Sequence, residues 1–197
     1  MKIRYVLGID EAGRGPLAGP VAVGAALVPV DFDWEVIPGV GDSKKVSEKK
    51  REEIFKRAHA LKKEGVLDFN VQLVSASVID RIGITKAVML GIKRACEGLA
   101  PDPLTTSVKL DGLLHAPEKF LIQETIIKGD AKEKVIGLAS ILAKVTRDRY
   151  MIRLAKKYPL YGFEIHKGYG TLTHRTMLHA HGLSEVHRMS FCRGYTR

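Results

Sequence analysis

The sequence predicts a mixed α/β fold, with strands first, helices laid on their faces and helices at the end. Three features carry that expectation. Two short, β-branched runs open the chain, "IRYVLGI" and "PVAVGAALV", with glycine-rich punctuation between them. Later strand-like stretches alternate with segments whose apolar residues recur at helical spacing. The last third is dominated by one long helical pattern and a helical end.

"IRYVLGI" is stopped by the turn residues "DEAG", so a core strand is expected to end at Asp10. The apolar run from Leu17 to Val30 contains Gly and Pro and is too short for a membrane span, which makes it a buried strand and the hairpin partner of the first. Ser47 to Lys63 is expected to be helical, with Ser47 as N-cap and Ile54, Ala58 and Leu61 on one face. "VLDFNVQLV" alternates as a strand does, and a helix follows around Ile84 to Ala95. "SVKLDG" and "FLIQETIIKGD" are two further strands, each ending in Asp beside Gly. A long helix runs from about Lys132 to Lys157, with Val135, Leu138, Ile141, Leu142 and Val145 on one face. "YPLYGFEIHKGYGT" is a glycine- and aromatic-rich loop, and "HRTMLHAHG" closes as a helix with Gly182 as its stop.

At 197 residues one domain is expected, its C-terminal helical, basic portion covering about 160–197. The net charge of +10 is unevenly spread. Lys128 to Arg197 holds 14 basic and 5 acidic residues, whereas the first 127 residues are nearly balanced at 18 and 17. A polyanion docking on the C-terminal third explains this asymmetry; a basic surface kept for solubility is the plainer reading. Two cysteines make no disulfide framework, and "MKIRY" opens no secretory leader, so a reducing, cytoplasmic location without membrane attachment is expected. "HAH" with Cys192 matches no standard zinc spacing.

The chemistry sits in the acids. Asp10, Asp111 and Asp130 each stand at an expected strand end, and ends of neighbouring strands lie close together. Glu11 can join Asp10 only if the chain leaves the strand there, because successive strand residues face opposite sides. Convergent carboxylates raise each other's pKa, and oxygen-liganded Mg²⁺ or Mn²⁺ relieves the repulsion. Two such ions are common nuclease machinery. Each acid also has a structural reading: Asp130 with Glu133 is a capping box, and Asp111 before Gly112 is a turn residue. Gly13-Arg14-Gly15 matches no dinucleotide or P-loop pattern. Glycines there let backbone groups approach a ligand closely, and the arginine adds a forked phosphate donor.

Together "GIDEAGRGPLAGPV", "DSKKVS", "LDG", "KGD", "ASILAKVTRD", "HKGYGT" and "VHRMSF" resemble the ribonuclease HII family, in order and over nearly the whole chain. The resemblance implies an RNase H-like fold with a central mixed five-stranded sheet and flanking helices. It implies hydrolysis of the RNA strand in RNA–DNA hybrids, and incision 5′ to single ribonucleotides in duplex DNA, with two Mg²⁺ or Mn²⁺ ions and no obligate protein partner. It places the metal-binding, catalytic acids on Asp10, Glu11, Asp111 and Asp130. It places the 2′-hydroxyl-sensing loop on Gly13, Arg14 and Gly15, a phosphate-contacting lysine on Lys44, and the tyrosine that stacks on the sugar after the ribonucleotide on Tyr169. Ser140, Lys144 and Arg147 are further candidates for contacts to the nucleic-acid backbone. Two alternatives stand beside it. Ribonuclease HIII shares the acids but lacks the GRG loop and carries an extra N-terminal domain. A non-catalytic nucleic-acid-binding protein accounts for the charge but not for the acids.

Overall fold

The computed structural model describes residues 2–41, 46–112 and 114–195. Five strands form one mixed sheet in the order β3-β2-β1-β4-β5, where β1 is Tyr5–Ala12, β2 Val21–Pro29, β3 Asp68–Val74, β4 Thr106–Asp111 and β5 Gln123–Ile126. β2 runs antiparallel to β1 and β3; β4 runs parallel to β1, and β5 parallel to β4. The helices are α1 Glu48–Lys63, α2 Ala76–Ile82, α3 Ile84–Leu99, α4 Gly129–Lys132, α5 Lys134–Lys157, α6 Phe163–His166 and α7 Leu172–His181. This is the α/β architecture that the sequence predicts.

The strand period sorts side chains between two cores. Leu7, Ile9, Val21, Val23 and Ala25 face α3, where Ala87, Val88, Ile92, Ala95 and Cys96 close the layer. Ala26 and Val28 face the other way, toward α1 and the first half of α5. Helix α5 lies so close to the sheet that two glycines are required beneath it. A Cβ on Gly8 would overlap the main chain at Val135, and one on Gly24 would overlap the carbonyl of Ala139. Gly24→Ala is therefore expected to lower stability by about 2–3 kcal/mol, because main chain on both sides cannot yield; chemical denaturation measures it, and an unchanged midpoint would contradict this packing. The second half of α5 leaves the sheet and carries the C-terminal layer, where Met151, Leu154 and Ala155 pack with Ala18, Tyr161, Phe163 and Leu178.

Several boundaries behave as expected. Ser47 caps α1 by accepting from the amide of Lys50 at 3.2 Å, and Gly182, at φ 73°, ends α7. Others need correction. β1 does not stop at Asp10 but continues through Glu11 to Ala12, paired with β2 throughout. β5 is only four residues long, and Lys128 in a left-handed turn (φ 59°) ends that segment, so Asp130 lies in short helix α4 and not at a strand end. Glu133 makes no side-chain cap for α5. From Val135 to Ala143 every residue of α5 is buried, because the helix is enclosed between sheet, α1 and α4; its apolar surface is not a single face. Helix α2, capped by Ser75, is too short to show a period, and the aromatic-rich loop contains a 3₁₀ turn at Pro159–Tyr161 and helix α6. Among the described residues no helix is long and apolar enough to cross a membrane.

Candidate active site

β1 keeps its β4 neighbour only as far as Ile9, which pairs with Leu110, while β2 stays paired to Ala12. The β4-facing edge of β1 is thus open beyond Ile9. This resolves how Glu11 joins Asp10 without leaving the strand. Asp10 shares a face with Gly8 and Ala12 and turns toward α5, where the Ser140 hydroxyl hydrogen-bonds to it. Glu11 shares a face with Ile9 and pairs with Arg14 at 3.3 Å, whose other arm reaches Thr85 on α3. From opposite faces, both border one cavity of about 480 Å³ at the open edge.

Asp111, the last residue of β4, lines the same cavity, and Gly112 at φ 69° turns the chain away after it. Its Oδ1 accepts from the amide of Gly129 at 2.6 Å, which ties the α4 turn to the site. Asp130 follows that amide and is buried, but it is not among the residues lining the cavity. Asp10 is 5% exposed. Burial pushes its carboxyl up to about 8; the Ser140 hydrogen bond works against this, and the charges of Glu11 and Asp111 add to it. Asp10, Glu11 and Asp111 give the cavity an oxygen-rich side, with Glu11 already paired to Arg14, and such carboxylates suit a hard divalent cation. Among the described residues no three acidic, histidine or cysteine side chains form a cluster or cage that could by itself hold a metal ion. An ion that keeps several of its own waters needs no such cage.

The same cavity is also lined by Gly13, Arg14, Gly15, Lys144, Arg51 and Tyr169. Lys144 is held at 2.8 Å by Asp148 one turn along α5. Gly13 has φ 87°, and a Cβ there would overlap the side chain of Arg147; a Cβ on Gly15 would meet nothing within 4 Å. The backbone of this loop is gripped from behind. Arg188 is fully buried and donates to the carbonyls of Gly13 at 2.7 Å, Arg14 at 2.9 Å and Gly19 at 2.9 Å. Arg147, also fully buried, donates to the carbonyls of Pro20, Ala18 and Lys167, and its guanidinium lies 5.7 Å from the centroid of the Tyr169 ring. Arg147 thus gives its Nε and Nη2 donors to the protein's own main chain, Nη1 being buried without a hydrogen-bond partner, and its full burial corrects its reading as a contact to the nucleic-acid backbone. Ser140 and Lys144 do border the cavity. Lys44 lies outside the described residues.

A fold of this kind, with acids and a clamped glycine loop around one cavity, has relatives. The family model described as Ribonuclease HII matches residues 7–194. The chain belongs to the ribonuclease HII family. A ribonuclease HII from Caldicellulosiruptor bescii is 48% identical over 188 residues, covering 95% of this chain and 86% of the relative. One from Endomicrobium trichonymphae is 47% identical over 186 residues, covering 94% and 84%. Among solved structures, the ribonuclease H2 of Pyrococcus horikoshii superposes with a TM-score of 0.75 at 26% identity, covering 97% of this chain and 96% of that one. As a ribonuclease HII, the chain is an endoribonuclease that hydrolyses the RNA strand of RNA–DNA hybrids, and it belongs to a metal-dependent family. The ribonuclease HIII and non-catalytic alternatives are set aside by the same match.

Arg51 and Arg188 escaped the sequence reading. Arg51 sits in the first turn of α1, four residues after the Ser47 that ends "DSKKVS", and its place beside that basic motif is the available signal. For Arg188 there was none beyond "VHRMSF", because its partners lie more than 160 residues away.

Proposed function

We propose that this ribonuclease HII incises duplex DNA 5′ to single embedded ribonucleotides, leaving 3′-hydroxyl and 5′-phosphate ends, as well as cutting continuous hybrids. One observation carries the reading: the acidic rim, the Gly13-Arg14-Gly15 loop and Tyr169 share a single cavity. In this reading a cleavage centre and a reader of the adjacent sugar work from the same cavity. Only the 2′-hydroxyl distinguishes RNA from DNA at such a point.

In this reading Asp10, Glu11, Asp111 and Asp130 hold two Mg²⁺ or Mn²⁺ ions. Bound there, the ions supply activation of the attacking water and neutralisation of the leaving oxygen. The chain's own residues do the rest. Gly15, open to solvent and without a side chain, lets main-chain groups approach the ribose. Arg188 holds that main chain by donating to the carbonyls of Gly13 and Arg14, and Arg147 holds the segment after it by donating to those of Ala18 and Pro20. Arg14 and Lys44 meet phosphate, and the Tyr169 ring packs on the sugar that follows. The basic C-terminal portion, about 160–197, tracks the duplex as part of one catalytic domain that needs no protein partner, in a cytoplasmic setting.

The test is a DNA duplex carrying one ribonucleotide, beside an all-DNA duplex and a continuous hybrid, with and without Mg²⁺ or Mn²⁺. The expected result is a single nick 5′ to the ribonucleotide that requires the metal. Cleavage confined to the continuous hybrid, or equal cleavage of the all-DNA duplex, would overturn it.

A further inference from the structure

The loop that presents Tyr169 is built against its intrinsic preference. Lys167 and Gly168 precede it at φ 52° and 85°, two consecutive left-handed residues, and the first is not a glycine. Such a turn persists only where its surroundings over-determine it. Behind it lie three buried imidazoles, His166, His174 and His187, packed around Phe163 and Tyr161. His166 and His174 stack at 4.3 Å between centroids, and Nε2 of His174 lies 3.0 Å from Nε2 of His187.

Main-chain partners settle where the protons sit. The amide of Ser184 can only donate, and it points at Nδ1 of His187 at 2.9 Å, with the Ser184 hydroxyl 2.8 Å from the same nitrogen. That nitrogen is therefore bare, and the ring's proton is on Nε2. At the other end, the carbonyl of Tyr169 can only accept, so Nδ1 of His174, 3.0 Å away, carries the proton and Nε2 of His174 is bare. The two assignments, made from opposite ends, meet without conflict: Nε2–H of His187 donates to Nε2 of His174. The chain of bonds runs one way, from Ser184 through His187 and His174 to Tyr169. His166 follows the same logic, accepting from Gly168 on Nδ1 and donating from Nε2 to the carbonyl of Tyr161 at 2.7 Å. The Tyr169 carbonyl also accepts from the amide of Thr171 at 2.8 Å, so the residue is fixed from two sides.

We infer that His187 and His174 form a neutral hydrogen-bond relay that positions Tyr169 for reading the step from ribonucleotide to DNA, which makes them specificity-determining positioning residues of this enzyme. The relay works only if both rings are neutral, since a second proton on either would set two donors against each other. Burial holds both histidines well below their ordinary range, at about 4, so neither charges at the pH of an assay. The inference rests on the proposed role of Tyr169, and the experiment separates the two.

Two readouts are needed. Imidazole ¹⁵N chemical shifts of the intact protein at pH 7 are expected to show His187 as the Nε2–H tautomer and His174 as the Nδ1–H tautomer, both uncharged. Any other pair of tautomers, or a charged ring, overturns the relay whatever Tyr169 does. In the second readout His174→Phe keeps a ring in the stack and removes both the donor to Tyr169 and the acceptor of the His187 Nε2–H. It is expected to lower cleavage of the single-ribonucleotide duplex about tenfold, the worth of one buried hydrogen bond, while the continuous hybrid is cut at close to the wild-type rate. His174→Asn, whose amide can stand in for Nδ1–H, should lose less. Combined with Tyr169→Ala, His174→Phe should add nothing further on the single-ribonucleotide duplex. Equal losses on both substrates, or full additivity with Tyr169→Ala, would show that the histidines only support the fold. If Tyr169→Ala itself fails to discriminate the substrates while the tautomers are as stated, the junction role of Tyr169 falls and takes the specificity claim with it.

Discussion

Asp10→Asn is expected to abolish cleavage, by at least ~10³-fold in rate, and at the same time to make the metal-free protein more stable at pH 8. The two effects have one cause. Asp10 is a buried carboxyl beside Glu11 and Asp111, and burial above all lifts its pKa to about 8 in the fold, against 3.8 unfolded. Between those values the folded protein binds a proton that the unfolded chain has released, so stability falls as pH rises from about 4 to about 8. Asparagine resembles the protonated form and does not titrate. The variant's stability gain should therefore be near zero at pH 4 and reach a few kcal/mol at pH 8. Adding Mg²⁺ or Mn²⁺ should reverse the order, because the wild type gains the binding energy and the variant forgoes most of it. Denaturation of both proteins at pH 4.5, 6 and 8, with and without metal, measures this. A variant less stable than wild type at pH 8 without metal would show that Asp10 is not held under strain for a cation.

The second large effect separates two glycines of one loop. In Gly13→Ala the new Cβ meets the side chain of Arg147 at a φ of 87°, which an alanine rarely adopts. Arg147 cannot step aside, since its guanidinium is bonded to the carbonyls of Pro20, Ala18 and Lys167. The expected cost is about 3 kcal/mol or more, from strain and overlap together. Cleavage should fall on every substrate, because the displaced loop pulls on Asp10 and Glu11 in the same strand. Gly15→Ala is the contrast. Nothing stands within 4 Å of its Cβ, so stability should be unchanged within about 0.5 kcal/mol. The added methyl instead occupies cavity space where the proposed reading puts the ribose, and cleavage should drop with the fold intact. Thermal unfolding and turnover measured on both variants test the pair; a stable Gly13→Ala enzyme, or a fully active Gly15→Ala enzyme, would contradict the geometry.

How much of this was legible in the chain depends on distance along it. Strand and helix identities follow from periods of two and of about 3.6 residues, which are local properties, and the helix α1 with its Ser47 cap and the hairpin of β1 and β2 came out where those patterns place them. The acids stood out as well, because adjacent carboxylates at the end of an apolar run are costly without an outside partner. Local patterns misplaced what depends on neighbours. A strand end at Asp10 was expected from its turn residues, yet pairing with β2 carries β1 on to Ala12, and only the early departure of β4 opens the edge where Glu11 can meet Asp10. A one-sided α5 was expected from its spacing, yet enclosure on all sides buries it from Val135 to Ala143.

The sequence by itself determined the fold class and singled out the Asp10-Glu11 pair and the glycine loop, since both are written in consecutive residues whose chemistry is costly without a purpose. The tertiary structure alone decided which side chains hold that site in place. Arg188 grips Gly13 across 175 positions, Arg147 grips Pro20 across 127, and two histidines 13 positions apart meet nitrogen to nitrogen behind Tyr169. Contacts at such separations leave no period or spacing in the chain. They exist only once packing has brought buried donors to main-chain carbonyls that would otherwise go unsatisfied.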